Sequence, residues 1–115
     1  MANSALFVGW NRPVVGREQQ AMDLFTNAIE YYGQLQANGK IESFEMVGLE
    51  SHGGDLNGFV LLRGEGAKLD EVRNEETFRN YAIEASYCIQ NFGVIKCAIG
   101  DALIEMYGQW SKLFS

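Results

Sequence analysis

Two short stretches, "ALFVGWN" (Ala5 to Asn11) and "GFVLLRG" (Gly58 to Gly64), are apolar on both of their alternating residue sets. In the first, Leu6, Val8 and Trp10 form one set and Ala5, Phe7 and Gly9 the other; in the second, Val60 and Leu62 alternate with Phe59 and Leu61. Successive side chains of a strand point to opposite faces, so strands of this kind must be covered on both sides. One layer of helices covers only one face of a sheet, so the other face needs a second partner.

The segments around these strands have clear periods. After the loop "RPVVG", Ala21, Leu24, Phe25, Ala28, Ile29, Tyr32 and Leu35 recur at the i, i+3, i+4, i+7 spacing of an amphipathic helix. Asn38–Gly39 supplies the left-handed exit that ends such a helix. Ile41 to Glu50 reads as a second strand, "SHGGDLNG" as a run of turn formers, and Gly58 to Gly64 as the hairpin partner. "EGAKLDEVRN" reads as a short helical turn. Asn74 is placed to cap a helix from Glu75 to about Ile89, with Phe78, Tyr81, Ala82, Ala85 and Ile89 on one stripe. Gly93 to Gly100 reads as a fourth strand. Asp101 is placed to cap a last helix, whose stripe is Leu103, Met106, Tyr107, Trp110 and Phe114.

Strand, helix, strand, strand, helix, strand makes two right-handed crossovers around a shared hairpin. The expectation is a single α+β domain over residues 1–115, a ferredoxin-like βαββαβ sandwich with an antiparallel sheet of order 4-1-3-2 plus a C-terminal helix. The doubly apolar strands take the central places. The strands carrying Glu42 and Glu45, and Lys96, take the edges.

The two main helices leave one face of this sheet bare, an apolar patch of the kind that marks an interface. Two copies stacked sheet on sheet would close it as a two-fold dimer. Alternatively, the last helix folds back over the same face within one copy. Together with the segment "KLDEVRNEETFRNYAIEAS", the layout resembles the dimeric α+β barrel superfamily, where a short helical turn before the second main helix is common. The resemblance spans nearly the whole chain and rests on layout, not on a motif. It implies a homodimer with a small-molecule cavity between sheet and helices in each subunit, and it carries no catalytic residue over to this chain.

Composition excludes several classes. A net charge of −6 disfavours both nucleic acid and an anionic membrane surface. Runs such as "FVLL" fall far short of a bilayer span, and the N-terminus has no signal-peptide pattern. The two cysteines, Cys88 and Cys97, lack a CxxC spacing and read as buried structural thiols in a reducing, cytoplasmic setting.

Candidate chemistry is sparse. His52, the one histidine, is suited to acid–base work but sits among turn formers, and it reads as an exposed turn residue. With strands one and three taken to leave the sheet at the same end, Trp10, Arg12 and Arg63 gather there as a ligand-binding set for an anionic or aromatic molecule. His52 then lies at the far end, beside Asn3, Ser4 and Asp101. In "RGEGAKL", Leu69 stands where the dinucleotide fingerprint needs its third glycine. One histidine and scattered acids build no metal site, and no cofactor motif is present. Two readings stay open: a homodimer that binds or transforms a small organic molecule without a cofactor, and a non-catalytic self-association or protein-interaction module.

Overall fold

β1 (Ser4–Trp10) and β3 (Gly58–Gly64) lie side by side at the centre of a four-stranded sheet of order β2-β3-β1-β4. β2 (Ser43–Gly48) and β4 (Gly93–Ala98) form its edges. The structure, a computed structural model, describes residues 3–114. All three strand pairs are antiparallel, so the expected 4-1-3-2 order is present, written from its other edge. Burial follows the patterning: β1 and β3 are mostly buried, whereas the strands carrying charge are half-buried or exposed.

On the inner face Leu6 pairs with Leu62 and Val8 with Val60. Three helices cover this layer: α1 (Glu18–Ala37), α2 (Gly66–Arg73) and α3 (Glu76–Cys88). Their side chains Tyr32, Leu35, Leu69, Val72 and Phe78 join the strand residues in one core. The end of α1 is built as expected. Gly39 has φ 72, and the Lys40 N–H reaches back to the Leu35 carbonyl at 2.9 Å.

Two helix starts differ from expectation. "EGAKLDEVRN" is a full two-turn helix, because Leu69 and Val72 are both buried against the sheet and anchor it. Asn74 ends that helix, its N–H bonding to Asp70 and Glu71 carbonyls, and α3 starts after Glu75. Glu75 makes no side-chain cap, since its carboxylate is held by Tyr31 and Lys40 instead.

The outer face carries Phe7, Phe59, Leu61, Val47 and Ile95, with Phe7 and Phe59 stacked at 4.9 Å. Gly100, at φ 58, turns the chain out of β4 into α4 (Asp101–Phe114); its carbonyl accepts from the Leu103 and Ile104 N–H groups, so Asp101 is the first helical residue and not a cap. α4 meets the rest of the protomer at β4 and has no buried residue, so it does not fold back over its own sheet. The radius of gyration, 15.6 Å, reflects this projection; a compact chain of this length has ~13 Å.

Truncating the fully buried Leu62 to Ala is expected to cost about 2–5 kcal/mol in urea unfolding. The same change at exposed Ile104 is expected to stay within about 0.5 kcal/mol for the isolated protomer.

Candidate functional site

Between the inner sheet face and the helices lies a cavity of about 290 Å³. Val8, Trp10, Met46 and Val60 form its floor. Ala21, Leu24, Phe25, Ala28 and Tyr32 of α1 wall one side; Phe78, Tyr81, Ala82 and Ala85 of α3 wall the other. The space exists because alanines stand where the two helices face each other. Ala21 and Ala28 are one heptad apart, and Ala82 and Ala85 one turn apart, so no large side chain fills the gap.

The far wall is a strap. The Asn11 N–H donates to the Gln90 carbonyl at 2.9 Å, the Gln90 N–H to Arg12 at 2.7 Å, and the Val14 N–H to Cys88 at 2.8 Å. This pairing sets Asn11, Pro13 and Ile89 against the cavity. Arg17 adds a clasp: its guanidinium lies 3.7 Å over the Tyr87 ring and donates to the Tyr87 carbonyl at 3.0 Å. Trp10 keeps its place because Gly58 lies beneath the indole, where a Cβ would come within 2.8 Å of the ring.

Among the described residues, no charged side chain lines the cavity. Its lining residues with a polar side-chain atom are Asn11, Trp10, Tyr32 and Tyr81. Tyr32 is buried, and burial together with nearby Tyr81 pushes its phenol up to about 12. At neutral pH it is therefore a neutral hydroxyl, able to donate one hydrogen bond. Beside it, the Tyr31 ring packs on Tyr81 at 5.3 Å, and its hydroxyl donates to Glu75 at 2.8 Å. Lys40 donates to the other Glu75 oxygen at 2.8 Å and holds that carboxyl below its ordinary value, against the opposing pull of burial. Burial and the Glu75 bond push the Tyr31 phenol up.

Of the residues expected to form a site, Trp10 and Arg12 lie at one end of the sheet and Arg63 does not join them. β1 and β3 are antiparallel, and Trp10 pairs with Gly58 while Arg63 pairs with Ala5. Five residues of strand, ~17 Å, therefore separate Arg63 from Trp10. The reason is directional: a crossover returns β2 in the sense of β1, and the hairpin then reverses β3. Arg63 instead stands on the outer face, 3.6 Å from Glu45. His52 moves the other way. Its loop is tied to the end of β1 by the Asn57 N–H bonding to the Trp10 carbonyl at 2.8 Å, and it shares a polar hollow of about 210 Å³ with Arg12.

His52 itself works as a loop staple. Its Nδ1 accepts from the Gly54 N–H at 3.2 Å, which leaves Nε2 to donate to the Leu56 carbonyl at 2.7 Å. Both ring nitrogens are spent within the turn. Of the cysteines, Cys88 is buried, and burial pushes its thiol up. Cys97 is a correction to expectation: it is only half-buried, on the outer face opposite Ala5. Among the described residues, no three His, Cys, Asp or Glu side chains gather as a metal-binding group, and no helix is long and apolar enough to cross a membrane.

No family model matches the chain, and no curated protein does. Solved structures do resemble it. A dimeric ferredoxin-like protein of unknown function from Jannaschia sp. CCS1 aligns with TM-score 0.64 at 14% identity, over 84% of this chain and 99% of that one. Hydroxynitrile lyase from Passiflora edulis aligns with TM-score 0.62 at 14% identity, over 87% and 96%. SnoaB, a cofactor-independent oxygenase from Streptomyces nogalater, aligns with TM-score 0.55 at 12% identity, over 86% and 95%. These likenesses establish the ferredoxin-like fold.

Two titrations follow from the tyrosine wall. Glu75 has a lowered folded value, so its contribution to stability is complete above its ordinary 4.5 and is lost as pH falls through the folded value. Acid unfolding of Glu75→Gln should lack that part of the slope. Tyr32 has a raised value, so its contribution holds below pH 10 and is lost as pH rises towards about 12. Absorbance titration at alkaline pH should show one late phenol fewer in Tyr32→Phe, with a shallower loss of stability.

Proposed function

We propose that the protein is a homodimer whose subunits each hold a neutral, largely apolar small organic molecule in the cavity between sheet and helices. The observation that carries this reading is the lining. A cavity of about 290 Å³ is bounded by both main helices and the inner sheet face without a charged group, close to the low end of the roughly 300–1,000 Å³ typical of ligand sites. A buried charge without a partner is costly, so a charged ligand is disfavoured there. Trp10, Phe25 and Phe78 offer flat apolar surface, and the Tyr32 and Tyr81 hydroxyls can donate to a carbonyl or hydroxyl oxygen of the ligand.

Proteins of the same fold that act on small molecules, the lyase from Passiflora edulis and the oxygenase SnoaB, support the small-molecule reading. The dimeric protein from Jannaschia supports self-association, and so does the apolar outer face, where Phe7, Phe59 and Leu61 are half-buried and Ile95 is exposed.

A thermal-shift panel tests the cavity. Neutral aromatic and alicyclic ketones and alcohols should raise the melting temperature by several degrees, since a ligand bound only to the folded state stabilises it. Their carboxylate counterparts should leave it unchanged. Ala82→Phe, which fills the space, should abolish the response. Arg63→Ala, remote from the lining, should preserve it. A response to carboxylates that depends on Arg12 would overturn the assignment.

A further inference from the structure

α4 presents an apolar surface that the rest of the protomer leaves largely exposed. Tyr107 is 54% exposed, Trp110 50% and Phe114 80%, all on the stripe that begins with half-buried Leu103 and Met106. The stripe therefore starts against β4 and continues past the edge of its own subunit. The outer sheet face is a second apolar surface, with Ile95 59% exposed beside half-buried Phe7 and Leu61. α4 has no buried residue, so its stripe is left open within one chain.

We propose that α4 is a dimerisation arm, whose Tyr107–Trp110–Phe114 stripe packs on a second copy of this chain at the margin of its outer sheet face. This inference rests on the homodimer reading and adds the element that completes it. The three aromatics, each worth ~150–250 Å² when fully covered, offer on the order of 350 Å² together at these exposures, and Ile104, Leu113 and Ile95 extend this towards the ~800 Å² per partner of a standard interface. A two-fold axis uses both surfaces twice and leaves neither open.

A lipid surface fits less well. Helices that lie on anionic membranes carry rows of Lys and Arg, whereas α4 has one cation, Lys112, against Asp101 and Glu105, on a chain of net charge −6. The helix is also short of polar residues that would suit it to stand alone in water.

Sedimentation velocity on the full chain tests the arm, with Leu61→Glu as the control for the outer face. The wild type should be a dimer at micromolar concentration. The double variant Tyr107→Glu/Trp110→Glu, altered only at exposed positions, should dimerise at least 100-fold more weakly, with an unchanged circular dichroism spectrum. A second readout needs no variant. Of the two tryptophans, Trp10 lies in the cavity and Trp110 on the arm, so emission should shift to the red as the wild type is diluted through its dissociation. A wild type that stays monomeric would sink the homodimer reading and the arm together. A wild-type dimer that Leu61→Glu disrupts, but whose emission and affinity ignore α4, would remove the arm alone. Stripe-dependent binding to phosphatidylcholine vesicles, with dimer affinity unchanged by the double variant, would overturn it in favour of a membrane role.

Discussion

The pairing of β1 with β3 places everything else in this molecule. Each strand is apolar on both alternating sets, so joining them creates two apolar surfaces, Leu6, Val8, Val60 and Leu62 on one side and Phe7, Phe59 and Leu61 on the other. The inner surface is closed by α1, α2 and α3, which converge on it as one core. The outer surface is only partly covered, its large side chains half-buried and Ile95 exposed. Helices thus close one face and not the other, and the two proposed roles divide accordingly, a ligand on the inner side and a partner on the outer.

The cavity reflects a compromise within the closed face. Large side chains at the facing positions of α1 and α3 would add dispersion contacts and stability. Alanines there forgo these contacts and leave a space that a neutral molecule can fill. The space is held open from outside by rigid features: the strap between the first loop and the end of α3, the Arg17–Tyr87 clasp, and the Tyr31–Glu75–Lys40 chain that ties α1 to the start of α3.

Much of the fold was legible because hydrophobic periods report burial directly. The two doubly apolar strands marked the centre of the sheet, and the charges on Ile41–Glu50 and Gly93–Gly100 marked its edges. The helix boundary at Asn74 was misread because an asparagine can end one helix as readily as begin the next, and only the backbone hydrogen bonds distinguish the two uses. The site was less legible. Trp10 does line the cavity, but Arg63 belongs to the opposite end and opposite face of the sheet. The sequence signal of the cavity is the placement of four alanines on facing helix stripes, which a search for charged side chains does not register.

The sequence by itself determined the element order, the central and edge strands and the presence of an uncovered apolar face, because each depends on local period and composition. Only the tertiary structure decided which ends and faces meet. Strand direction sets Arg12 beside His52 and far from Arg63, the separation of α1 from α3 sets the cavity, and the angle at Gly100 sends α4 away from its own sheet. These are relations between segments distant in sequence, fixed by the packing of whole elements and not by the preferences of any one of them.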